Sequence, residues 1–229
     1  MNRVAIAIFV KTPGLSPLKT RLAADIGENN AISFYEHSLQ IAEEAIVIAE
    51  QNSDFNFQPF WAVAEEQALH LDTWQSFARI YQGSGSLGER LSRIYSGLIT
   101  KFRTVILIGA DCPTISANVL LDAANQLCHH SDKKAFVLGP ANDGGFYLFG
   151  GNKTIAESIW TSVTYSCDST AAELTAQLTK HGEIHTLPTL SDVDTGEDLN
   201  FTLLQMKNNE ALTLSQQIML TRMLHLIPL

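Results

Sequence analysis

No apolar run in this chain approaches the roughly 18 residues that a membrane-spanning helix needs. The opening stretch MNRVAIAIFVK is too short and too soon interrupted by charge to be a secretory signal. The expectation is a cytoplasmic protein with no membrane insertion. Cysteine is scarce and odd in number: Cys112, Cys128 and Cys167 stand far apart, which argues against a disulfide framework or a zinc ribbon. Positive charge is also short. With 15 Lys and Arg against 24 Asp and Glu the net charge is −9, and such a chain has no basic face with which to grip a nucleic-acid backbone. An anionic ligand would have to be met by local cations or a metal ion against this background field.

Glycines are missing where one motif would need them. The stretch FVKTPGLSPLKTR (9–21) ends in the Lys-Thr pair of a phosphate-binding loop, G-x-x-x-x-G-K-[ST], but Pro13 and Leu18 hold the two glycine places. Pro13 and Pro17 also remove backbone N–H groups that would face phosphate oxygens. What stands there instead is a turn carrying Lys11, Lys19 and Arg21 directly after an apolar run.

At 229 residues the chain fits one sizeable domain with a real core. RVAIAIFV (3–10) reads as a strand buried on both faces. ENNAISFYEHSLQIAEEAIVIAEQ, after Gly27, reads as a long amphipathic helix. FQPFWAVA and ARIYQG read as strands, and a helix opens at Ser86 as its cap. The alternation continues: strand TVILIGA (104–110), a helix from Ser116 to His130, strands KAFVLGPA and GFYLFGG (145–151), helix 169–182, and strand EIHTLPTL. The pattern predicts an α/β domain of three α/β/α layers around a mixed, mainly parallel sheet. Residues 1–207 form that domain in this reading. Segment 208–229, helical over 211–227, docks on it or on a partner subunit of a homodimer.

In open parallel sheets ligands sit at the carboxyl ends of strands, and every unusual polar motif falls there. Lys11, Lys19 and Arg21 suit a di- or triphosphate, though scattered solvated charges would look the same. Asp111 follows the strand VILIG and can serve as a Mg²⁺ or Mn²⁺ ligand or as a plain turn residue. Asp143-Gly144-Gly145 reads as a hairpin turn, or as a close backbone approach to a ligand with Asp143 on a hydroxyl, an amine or a metal. In SDVDTGEDL, Thr195 caps a helix with Glu197 and Asp198 in its first turn. Capping leaves Asp192 and Asp194 unexplained as like charges side by side, which a divalent cation would explain. In YQGSGSLGERL, Gln82 and Gly83 end a strand and Gly88 lies at a helix start, where an anion or a base edge could be met; a flexible loop is the plainer reading.

Taken together and in order, VKTPGLSPLKTRL, QGSGSLGERL, IGADCPTI, GPANDGGFYLFG and DVDTGEDL resemble the nucleotide-diphospho-sugar transferase superfamily. Within it they resemble most a bacterial branch that goes by the name glycosyltransferase, related to the guanylyltransferases of deazaflavin and molybdenum cofactor synthesis. Many of these relatives have glycine where this chain has Ser16. The resemblance covers residues 4–199 and implies a GT-A-like sheet. Lys19 and Arg21 would hold donor phosphates with Lys11 in support, and Asp111 with Asp192 and Asp194 would form a Mg²⁺ or Mn²⁺ site. Asp143, Gly144 and Gly145 would lie on the acceptor side. The partners implied are a nucleotide or nucleotide-sugar donor and a small-molecule acceptor. Three functions follow in order: sugar transfer from a nucleotide diphosphate, nucleotidyl transfer from an NTP with release of pyrophosphate, and nucleotide binding without catalysis.

Overall fold

A computed structural model describes residues 2–129 and 133–226. Seven strands form one sheet in the order β3-β2-β1-β4-β6-β5-β7. They are β1 (Asn2–Val10), β2 (Phe55–Val63), β3 (Ala78–Tyr81), β4 (Thr104–Gly109), β5 (Ala135–Pro140), β6 (Phe146–Gly151) and β7 (Glu183–Thr186). β1 pairs in parallel with both β2 and β4, and β2 with β3. Only β6 runs antiparallel, between β4 and β5, while β5 pairs in parallel with β7. The antiparallel strand follows from the tight Asp143-Gly144-Gly145 turn, because a connection that short can only return the chain alongside itself.

β1 explains why its sequence is continuously apolar. Val4, Ile6 and Ile8 enter one core, with Phe34 and Leu120, and Ala5 and Ala7 enter the other, with Tyr95 and Trp160. Burying each larger side chain contributes about 2 kcal/mol. One helical layer holds α2 (Glu28–Gln51), α4 (Ala117–His129), α7 (Gly196–Lys207) and α8 (Leu214–Met223); the other holds α3 (Leu87–Ile99), α5 (Glu157–Thr161) and α6 (Thr170–Leu178). Ser86 and Thr195 both close capping boxes, with Glu89 and Asp198 respectively.

Three features differ from the sequence expectation. The segment after Lys19, expected as a cationic loop, forms the short helix α1 (Thr20–Ile26), which ends where Gly27 adopts φ 86° before α2 begins. α5 and the short 3₁₀ turns at Glu66–His70 and Asp72–Trp74 are too brief to show a helical period. The helix expected over 211–227 is α8 followed by a 3₁₀ turn to Leu226. The expected helix residues His130 and Ile227 lie outside the described residues. α8 packs on α2: Met219 and Met223 are buried, Ser215 donates its backbone N–H to Glu44, and the Gln216 amide donates to Pro113 O at 3.0 Å. Among the described residues no helix is long and apolar enough to cross a membrane.

Candidate active site

The site is organised around Lys19. Its backbone is left-handed, φ 46° and ψ 42°, a conformation that costs a non-glycine residue on the order of 1 kcal/mol. That turn sends the ammonium group to three acceptors: Val193 O at 2.6 Å, Asp194 Oδ1 at 2.9 Å and Asp111 Oδ2 at 3.0 Å. Burial alone would lower its pKa, but the two carboxylates outweigh this and hold it above the usual lysine value. An ammonium has three donors, and all three are engaged. Lys19, expected as a phosphate ligand, here bridges the end of β4 to the loop before α7 through these contacts. The backbone bond Val193 N–H to Asp111 O, 3.2 Å, closes the same junction.

Asp111, Asp143, Asp192 and Asp194 all line one pocket. Burial, then the charges of Asp111 and Asp143, push the Asp192 carboxyl up to about 7, with Lys19 opposing and Asp194 adding to the rise. Among the described residues no three His, Cys, Asp or Glu side chains stand close enough to enclose an ion by themselves, and the Lys19 ammonium lies between Asp111 and Asp194 of the expected set Asp111, Asp192 and Asp194. The donor set nevertheless fits a hard cation that takes one or two protein carboxylates and completes its shell with ligand oxygens. The unneutralised charge around Asp192 is what such an ion would relieve.

The shift of Asp192 has a measurable consequence. Its folded value lies above the unfolded value of 3.8, so between about pH 4 and 7 the folded state holds a proton that the unfolded state has released. Stability from this group is complete at the acid end and is lost as pH rises toward 7. In chelator, denaturant unfolding at pH 5 and pH 8 should show Asp192→Asn gaining on the wild type by on the order of 2 kcal/mol at the higher pH. A variant that loses ground instead would contradict the assignment.

The other expected residues separate into two groups. Arg21 is exposed and its nearest carboxylate, Asp194, is 4.0 Å away; Lys11 is also exposed, with only Pro17 O at 3.4 Å from its ammonium. Both line a cavity of about 530 Å³ together with Lys19, Gln82, Arg90 and Asp111. Gln82 is buried, and its amide N–H groups are taken by Val10 O and Ala62 O. Gly83 and Gly88 are packing positions. A Cβ on Gly83 would meet the Arg93 guanidinium, whose Nη1 ties Gln82 O and Ser84 O; a Cβ on Gly88 would lie 2.6 Å from Trp160 O. Asp143 caps its own turn, with Gly145 N–H to Oδ1 at 2.8 Å, and Gly144 takes φ 85°.

Sequence reasoning missed several neighbours. Tyr35 of α2 clamps Lys11 by donating to its O and accepting from its N, both at 3.0 Å. Glu65 is buried, accepts from Thr12 N at 2.9 Å and leaves Oε1 without a partner. Arg90 was legible inside LGERL, next to the helix start. Tyr165, Ser166 and Cys167 come from the loop before α6 and line a second pocket of about 280 Å³ with Phe9, Leu91, Phe146 and the four aspartates. Asp111 and Asp194 line both cavities. The cationic cleft and the acidic, apolar-walled pocket thus meet at the carboxylates that Lys19 holds.

The comparisons define first a fold. A proposed nucleotide-diphospho-sugar transferase from Desulfovibrio desulfuricans superposes with a TM-score of 0.83 at 24% identity, covering 99% of this chain and 97% of that one. A cytidylyltransferase from Leptospira borgpetersenii gives 0.56 at 14% identity over 98% and 95%. A CMP:2-keto-3-deoxy-manno-octonic acid synthetase complexed with CTP gives 0.52 at 13% over 90% and 99%. The architecture is that of the nucleotide-diphospho-sugar transferases, a mixed sheet with helices on both faces. The chain belongs to the family described as uncharacterized proteins conserved in bacteria, DUF2064, whose profile matches residues 42–167. That span includes Gln82, Asp111 and Asp143 but neither Lys19 nor Asp192. No curated protein matches the chain.

Proposed function

We propose that this protein is a transferase that takes a nucleotide-activated donor in the cationic cleft and a small acceptor in the acidic pocket, with sugar transfer from a nucleotide diphosphate as the reaction. The observation that carries this reading is the junction of the two cavities at Asp111 and Asp194. A donor's leaving diphosphate would lie against Lys11, Arg21 and Arg90, whose side chains supply charge-assisted hydrogen bonds. Asp111 and Asp192 would hold Mg²⁺ or Mn²⁺, which when bound supplies stabilisation of the charge developing on the leaving phosphate oxygen.

The acceptor side favours sugar transfer over nucleotidyl transfer. Its pocket carries four carboxylates, and no Lys, Arg or His among the described lining. A neutral hydroxyl compound with an apolar body is accommodated there, whereas an attacking phosphate would be repelled. In the transfer the hydroxyl oxygen bonds to the anomeric carbon as the bond to the diphosphate breaks. Asp143, facing the pocket from its turn, receives the hydroxyl proton, and the nucleoside diphosphate leaves. The nucleotidyl alternative draws its support from the cytidylyltransferase likeness, which at 14% identity extends to the fold alone. The test is metal-dependent stabilisation by nucleotide sugars against NTPs, with Asp111→Ala as the control.

A further inference from the structure

We propose a second anion site at the opposite end of the sheet, independent of the reading above: the cavity bounded by Arg3, Lys101, Arg103 and Lys153 binds a small molecule bearing two or more phosphate or carboxylate groups. β1 and β4 begin here, and β1 spans nine residues before Lys11, which puts this cavity roughly 25–30 Å from the candidate active site. Its volume is about 730 Å³, within the range of small-molecule sites. A neighbouring cavity of about 340 Å³ shares Lys101, Arg103 and Lys153.

All four bases are exposed, and their charge distribution is what marks the cavity as a site. In a chain with 24 acidic and 15 basic residues, four bases share one concavity, and among the described residues no Asp or Glu lines it. None of the four has a carboxylate within salt-bridge distance among the described residues. Like charges gathered in a cleft focus a positive potential that raises the local concentration of anions.

The frame is also built. The Arg3 guanidinium lies 4.9 Å over the ring of Phe102, which is buried and packs edge-on against Phe60, so its donor fork is oriented in advance. Tyr95 donates to Lys153 O at 2.6 Å, fixing that corner. Asn152 is held by Ala135 N–H and by Leu127 O and Lys133 O. Thr104 also lines the cavity; it is 2% exposed, and its hydroxyl lies 3.7 Å from the Cys128 thiol.

The experiment removes the first site and measures the second. Calorimetry of inorganic pyrophosphate and of citrate, in chelator, on full-length Lys11→Ala/Arg21→Ala protein should give a dissociation constant at or below about 1 mM for at least one of them. Adding Arg103→Ala/Lys153→Ala should weaken it by about tenfold or more, while leaving thermal stability in the absence of probe unchanged. Amide NMR shifts on titration should centre on Thr104 and Asn152. The tighter of the two probes identifies phosphate or carboxylate as the preferred group. No binding of either probe, or binding that Arg103→Ala/Lys153→Ala leaves unaltered, overturns the proposal.

Discussion

Lys19→Met is expected to destabilise the metal-free protein by about 2–3 kcal/mol and to lower transfer activity by a factor on the order of 10²–10³. The Lys19 side chain is 3% exposed, while those of Asp111 and Asp194 are 44% and 52% exposed. Removing a buried ion-pair partner costs about 3–5 kcal/mol when both charges are buried, and the solvent reaching the two carboxylates brings the figure to the lower end. Methionine fills the same volume but leaves both carboxylates facing one another. Two further results distinguish this from a simple packing loss. Mg²⁺ should restore part of the lost stability, because a divalent cation supplies the charge that was removed. Lys19→Arg should not rescue activity, since a planar fork cannot reach acceptors set around a single nitrogen at 2.6, 2.9 and 3.0 Å. Equal stability of Lys19→Met and wild type in chelator, by urea unfolding, would remove Lys19 from the centre of the site.

The second large effect is steric. Gly144→Ala places a Cβ 2.0 Å from Asp168 O and 2.3 Å from Asp168 Cα, at φ +85°. A left-handed alanine costs about 1 kcal/mol, and forcing the loop before α6 away adds about 1–3 kcal/mol, for a total of about 3 kcal/mol. Thermal unfolding should fall by roughly 6–12 °C. Gly144 O also accepts from Ala171 N–H at 2.9 Å in the first turn of α6, so the displacement should carry Cys167 and Asp143 with it and reduce acceptor use more than donor binding. Gly145→Ala is the contrast: its Cβ would meet only its neighbour's carboxylate, Asp143 Oδ1, at 3.0 Å, and its loss should be small.

These two positions show what was legible in the sequence and what was not. The strands were legible because a sheet covered on both faces needs continuous apolar runs such as RVAIAIFV and TVILIG. The helices α2 and α3 announced themselves by length and by the Ser86 cap. α1 did not, because TRLAADI is seven residues long with Leu22 as its one fully buried side chain, too little for a period to appear. The carboxylates of the site were all named in advance, since acidic groups at strand ends stand out. Their contact with Lys19 was not legible: Lys19 and Asp194 are 175 residues apart, and nothing local says that the ammonium turns inward. The partners of the Gln82 amide, the backbones of β1 and β2, were hidden for the same reason. Tyr35 and Glu65 were invisible because one sits in the apolar stripe of a helix and the other just past a strand, with no motif around either.

The use of a nucleotide-activated donor is decided by thermal unfolding of wild type and Asp111→Ala with Mn²⁺ in the presence of UDP-sugars, GDP-sugars and the four NTPs. A ligand at 100 times its Kd stabilises by about 2.7 kcal/mol, a rise of roughly 5–10 °C at this size. That rise is expected for a nucleotide sugar with wild type, with its loss in chelator and its loss in Asp111→Ala. A wild type that responds to no nucleotide or nucleotide sugar, or a rise that persists undiminished in Asp111→Ala, would contradict donor use at this site.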